Sequence, residues 1–78
     1  MKLEIITPDK KLFEGNVKSA TFPGSEGSFG VLNNHASMIA TLKAGEIELI
    51  EDSNNTLKFP VKGGVVEVLK NKVIVLAE

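Results

Sequence analysis

The sequence predicts an all-β domain, a small two-layer β-sandwich or flattened barrel of about eight to ten short strands. Three observations carry that expectation. Apolar residues recur at spacing two, and no window of about ten residues holds the 3.6-residue period of a helix. Turn-forming Gly, Pro, Asn and Asp punctuate the chain at close intervals. The hydrophobic fraction of 42% is carried mainly by Val, Ile and Leu, aliphatic side chains that suit a pleated, half-buried surface.

Taken in order, Lys2 to Thr7 alternates Leu3 and Ile5 against Lys2 and Glu4, and Pro8-Asp9 closes it. A second strand starts near Lys11 and ends at Pro23-Gly24; Gly15-Asn16 in its middle reads either as a hairpin turn or as a bulge that bends the strand across the domain. Ser28 to Leu32 and Met38 to Leu42 are brief strands, and Gly45 opens Glu46-Ile-Glu-Leu49, where acid and aliphatic alternate. Asp52-Ser-Asn-Asn55 is a hairpin tip, because short polar side chains there bond their own backbone. Leu57, Phe59 and Val61 alternate beyond it, and Pro60, which cannot donate to a ladder, places that strand at an edge or at a break in pairing. Gly63-Gly64 introduces Val65 to Leu69, which turns at Lys70-Asn71 into Lys72 to Leu76; both faces of this last hairpin are largely apolar. No repeat or linker interrupts the pattern, so one domain fills 1–78.

Composition narrows the function. A formal net charge of −1 with intermixed signs leaves no electrostatic footprint for nucleic acid or an anionic membrane. Absence of Cys removes disulfides, thiolate chemistry and Cys-based zinc sites, and suits a reducing compartment. The opening residues lack the pattern of a secretion signal. The longest apolar run, Val73 to Ala77, is far below the roughly 20 residues of a membrane-crossing helix, so no direct membrane insertion is expected. The isolated chain is expected to be a soluble monomer.

No constellation of reactive groups stands out. Gly24, Gly27 and Gly30 fall at spacing three, which fits neither phosphate-cradling pattern, and they read as turn and bulge positions. Asn54-Asn-Thr56 formally matches a glycosylation acceptor but reads as a hairpin tip. The acids Glu4, Glu14, Glu46, Glu48, Glu51 and Glu67 alternate with apolar positions, as on a solvated sheet face. His35, the only histidine, is a contact residue, a proton-sensitive switch or a structural turn residue; as a metal ligand it lacks companions. No catalytic residue, cofactor or metal is assigned. The Leu69-Lys-Asn-Lys-Val73 turn leaves a second class open, a biotinyl or lipoyl carrier modified at Lys70 or Lys72.

Ser25-Glu-Gly-Ser-Phe-Gly-Val-Leu32, His35-Ala36, Lys43-Ala-Gly45, Gly63-Gly-Val-Val-Glu-Val68 and Val73-Ile-Val-Leu-Ala-Glu78, with Leu3 to Pro8 and Leu12 to Gly15, resemble the epsilon subunit of rotary F-type ATP synthase, whose mitochondrial counterpart is called delta. That resemblance spans the chain. It implies the N-terminal β-sandwich of the family without the C-terminal helical pair, and hence no restraint of ATP hydrolysis by such helices. It further implies a non-catalytic central-stalk rotor subunit that binds the gamma subunit and the membrane c ring, in a proton-translocating complex peripheral to the cytoplasmic face of the energy-transducing membrane.

Family members commonly carry an acid where Ser28 stands, and a Pro-Gly-His-Ala-Pro run where this chain has Asn33, Asn34, His35, Ala36 and Ser37. Glu26 can substitute for the missing acid, and Asn33-Asn34 can keep the turn, since Asn tolerates left-handed backbone. By resemblance the c-ring contact is assigned to Glu26, Ser28, His35 and Ala36. Phe22, Val31 and Leu42 are candidates for gamma contact, with the core as their competing destination.

Overall fold

Alternation resolves into eight strands with no helix: β1 (Lys2–Ile6), β2 (Lys11–Gly24), β3 (Gly27–Leu32), β4 (Met38–Leu42), β5 (Gly45–Glu51), β6 (Thr56–Val61), β7 (Gly64–Leu69) and β8 (Lys72–Ala77). The structure, a computed structural model, describes all residues from Met1 to Glu78. The turns have local chemical causes. Between β1 and β2, Thr7 Oγ1 accepts from the Lys10 amide at 3.1 Å and donates to its carbonyl at 3.0 Å. Between β7 and β8, Lys70 and Asn71 both take left-handed backbone, φ 50° and 60°, which is the two-residue hairpin geometry that matches strand twist.

The ladder closes on itself. β1 runs parallel to β8, β8 pairs with β7 and β7 with β4, β4 meets β2 at Leu42 and Gly24, and β2 returns to β1. The far half of β2 is flanked by both β3 and β5, and β5 carries β6 as an outer strand. This is the sandwich, with one wall made by β1, β8, β7 and β4 and the other by β2, β3, β5 and β6. Pro60 lies on β6, at the end of the strand order, where a missing N–H costs least.

Gly15 and Asn16 form no hairpin. They pair with Leu3 and Lys2 inside an uninterrupted β2. β2 is irregular at two other places: at Leu12, the extra residue between the Ile5–Phe13 and Ile6–Lys11 pairs, and at Lys18, the extra residue between the Val17–Glu51 and Ser19–Ile50 pairs. Of the two readings open in the sequence, the bulge is realised, slightly further along at Lys18. It is needed: 14 residues fully extended would span about 45 Å, whereas the longest extent of the domain is 27 Å. A bulge bends and twists the strand, so β2 can serve both walls.

Both walls send their inward side chains into one core of 16 buried residues, among them Leu3, Ile5, Val17, Phe22, Val31, Leu42, Ile47, Leu49, Val66, Val73 and Val75. Every buried side chain is apolar, and no buried polar side-chain atom lacks a partner. Phe22 stacks obliquely on Phe29 with centroids 5.4 Å apart. Gly64 joins β7 to its neighbours at a crowded point: its φ of 145° disfavours any side chain, and a Cβ there would collide with the Leu76 carbonyl oxygen.

Outside, charged residues cross the seam where β1 meets β2 and β8. Glu4 lies between Lys11, at 3.4 Å, and Lys72, at 3.8 Å, while Glu14 reaches Lys11 at 2.8 Å and Lys2 at 3.4 Å. The hydrogen bond from Lys11 holds the Glu14 carboxyl below its usual pKa and raises that of Lys11 in return.

Candidate functional site

No buried side chain is polar, so the polar side chains that a partner can meet lie on the surface. Three regions present themselves.

The first is the turn between β3 and β4. The His35 amide donates to the Leu32 carbonyl at 3.2 Å, and Asn34 sits at φ 63°, a conformation that Asn tolerates better than most residues. Two side chains tie this turn to the rest of the domain. Asn33 Oδ1 accepts from the Met1 ammonium at 2.6 Å, and the Asn34 amide donates to Asn71 Oδ1 at 2.8 Å. His35 is half-buried and its Nδ1–H donates to the Ala36 carbonyl at 2.8 Å, so the neutral ring offers Nε2 as an acceptor. Leu32 and Ala36 are exposed beside it.

The second is the tip between β2 and β3, Ser25 and Glu26. It is fastened to β4: the Ser25 amide donates to the Thr41 carbonyl at 2.9 Å, and Thr41 Oγ1 donates to Ser25 Oγ at 2.9 Å. Glu26 is exposed and borders an open groove of about 520 Å³ floored by Phe29, Met38 and Ala40. Glu26 and Ser28 therefore stand at one end of β3, and His35 and Ala36 lie beyond the other. The six residues of β3 separate Glu26 from His35, a length of about 20 Å. The four residues do not share a loop; they lie on or flank β3, an edge strand that pairs only with β2.

The third is the outer face of the β1–β8–β7–β4 wall. Cross-strand register places Ile6, Leu76 and Val65 in one row, Ile74, Glu67 and Ile39 in the next, and Lys72 and Leu69 in a third. Leu76 is 55% exposed, Ile39 70%, Leu69 50% and Val65 38%, which puts four of the five exposed large hydrophobics of the domain on this one face. Apolar surface so grouped marks an interaction site, whereas scattered residues would not. Phe22 and Val31 are fully enclosed and Leu42 is 6% exposed, so as gamma contacts they have no side-chain surface to give. Inward alternation takes all three into the core. The signal in the sequence for this face is the hairpin of β7 and β8 being apolar on both faces, which leaves Val65, Leu69 and Leu76 exposed once the inward face is buried.

Lys70 stands exposed at the β7–β8 tip, whereas Lys72 leans on Glu4 across the seam. A tight hairpin with an exposed lysine is as much of the carrier arrangement as the chain displays. No three His, Asp or Glu side chains converge as a metal site would require.

Comparison with known proteins points in one direction. The family model for the ATP synthase delta/epsilon chain β-sandwich domain matches residues 1–78. The ATP synthase epsilon chain of Nitratiruptor is 45% identical over 78 residues, all of this chain and 60% of the relative. That of Pelotomaculum thermopropionicum is 47% identical over 76 residues, 97% of this chain and 56% of the relative. The chain thus spans about 60% of the length of the curated relatives it matches. Among solved structures, a chain of the Euglena gracilis mitochondrial ATP synthase, in an assembly of OSCP, F1 and c-ring, superposes with a TM-score of 0.90 at 22% identity, covering 96% of this chain and 48% of that one. A chain from the Tetrahymena thermophila mitochondrial ATP synthase central stalk and c-ring gives a TM-score of 0.83 at 22% identity, over 99% and 62% of the two chains. Those structures share the fold. With the sequence matched from first residue to last, the chain belongs to the family of ATP synthase delta/epsilon β-sandwich domains.

Proposed function

We propose that this chain is a non-catalytic rotor element of the central stalk, docking gamma on one surface and the c ring on another in a complex peripheral to the cytoplasmic face of an energy-transducing membrane. The observation that carries the reading is the family match over every residue. The fold supplies its physical sense. An element that passes torque between two partners must deform little, and a closed ladder around a close-packed apolar core resists shear better than an open sheet.

Gamma docks on the outer face of the β1–β8–β7–β4 wall, through Leu76, Val65, Ile39 and Leu69. This is the largest grouped apolar surface outside the core, and burying it removes exposed hydrocarbon from water at about 25 cal/mol per Å². The c ring lies along edge strand β3, meeting Glu26 and Ser28 at one end and His35 and Ala36 at the other. Support comes from the single pairing of β3 and from the exposure of Ser28, Gly30 and Leu32 along it.

Capture of purified gamma by the tagged chain at a one-to-one ratio is the expected result. Failure to capture gamma, with the chain shown to be folded, removes the rotor reading. A mass increase after treatment with a biotin or lipoyl ligase would install the carrier reading in its place.

A further inference from the structure

We infer that Asn71 is a positioning residue for the His35 turn, acting from the tip of the β7–β8 hairpin through its side-chain carboxamide. This rests on the proposed ring-facing role of that turn. Asn71 belongs to the β7–β8 hairpin, nowhere near the turn in sequence, yet it holds three segments together. Its backbone carbonyl accepts from the Lys2 amide at 3.3 Å, at the start of β1. Its Oδ1 accepts from the Asn34 amide at 2.8 Å. Its own φ of 60° is the left-handed value demanded of the second residue in a two-residue hairpin.

The residue type answers two demands at once. Left-handed backbone at a hairpin tip favours Gly, Asn or Asp. Reaching across to an amide in another turn requires a short side chain with an acceptor, which Gly lacks. The amide it serves matters because Asn34 is itself left-handed, with φ 63°, immediately before His35. A residue in that conformation costs free energy and persists only where its surroundings fix it. The Asn71 bond caps the amide at that point and thereby fixes the direction in which the chain presents His35 and Ala36.

The hairpin geometry allows a clean separation. Asn71→Gly keeps the backbone conformation and removes only the acceptor, while Asn71→Asp restores an acceptor. Amide hydrogen exchange of the chain, read residue by residue by NMR, should show Asn34 exchanging about 5-fold faster in the Gly variant, the loss of one modest hydrogen bond, and near wild-type rate in the Asp variant. Thermal midpoints of all three should stay close. Affinity of the gamma complex for detergent-solubilised c ring should fall about 5-fold with Gly and recover with Asp. Unchanged exchange at Asn34 in the Gly variant overturns the inference. Faster exchange with rescue by Asp but unaltered ring affinity upholds the positioning and removes the ring-facing role of the turn.

Discussion

The carbonyl oxygen of Leu76 occupies the place where a Cβ on Gly64 would have to sit. Gly64 also lies between Leu42 of β4 and Ala77 of β8 in the ladder, so neither neighbour can retreat without breaking pairing. Gly64→Ala should therefore destabilise the domain by at least about 2 kcal/mol, through backbone strain at positive φ and the collision together. Urea denaturation of the two chains measures it; a loss within a few tenths of a kcal/mol would show that the wall yields at this point.

Phe22 and Leu76 make opposite predictions. Phe22→Ala removes a fully enclosed ring and should cost about 3–5 kcal/mol of stability. Leu76→Glu alters an exposed outer position and should change stability by no more than about 0.5 kcal/mol. Gamma capture should nonetheless weaken at least about tenfold with Leu76→Glu, because an unpaired carboxylate would be buried in the contact. Equal capture by the wild type and Leu76→Glu would move the gamma surface elsewhere.

His35→Ala should leave the fold intact, since the ring is only half-buried and its recorded bond is to the adjacent residue. Stability within about 1 kcal/mol of the parent is expected, with the deficit appearing in coupling between proton flow and ATP synthesis in reconstituted vesicles. An unfolded variant would make His35 a structural residue.

Glu14 gives a pH signature of definite sign. Its carboxyl titrates below the usual 4.5 in the folded chain, chiefly because Lys11 donates a hydrogen bond to it. A depressed folded value stabilises at pH above the unfolded value, and the contribution disappears as pH falls through the folded one. Glu14→Gln should thus show a shallower loss of stability than the parent on acidification below about pH 4.5. Lys11, raised above 10.5, acts in the other window: its contribution is complete below that value and is lost as pH rises through the folded one. Both effects are small, because the pair is exposed to solvent and screened by salt. Parallel acid profiles for Glu14→Gln and its parent would remove the carboxylate from the acid response.

Strand positions were legible because alternation is local: Leu3 and Ile5, or Val73 and Val75, declare an inward face without reference to any partner. Which strands pair is not local. Nothing in Gly15-Asn16 distinguishes a turn from a through-strand, since the decision rests with Leu3 and Lys2 across the ladder. The same limit governs the surface. Glu26 and His35 are close in sequence and far apart in space because β3 is extended between them, while Asn34 and Asn71 are distant in sequence and hydrogen-bonded. The residues facing outward from β7 and β8 were written plainly as apolar, but an apolar residue names its face only once its neighbours on the wall are known.

The parallel seating of β8 beside β1 governs when the domain can come into being. Lys2 faces Lys72, nearly the whole chain away, so loop-closure entropy is paid across almost every residue before that ladder forms. On the ribosome, β1 and its antiparallel neighbour β2 emerge well before β8, so the β8 side of β1 stays unpaired until Lys72–Ala77 has followed. A nascent polypeptide arrested before Lys72 should consequently stay vulnerable to proteases, becoming resistant only when β8 is free to dock.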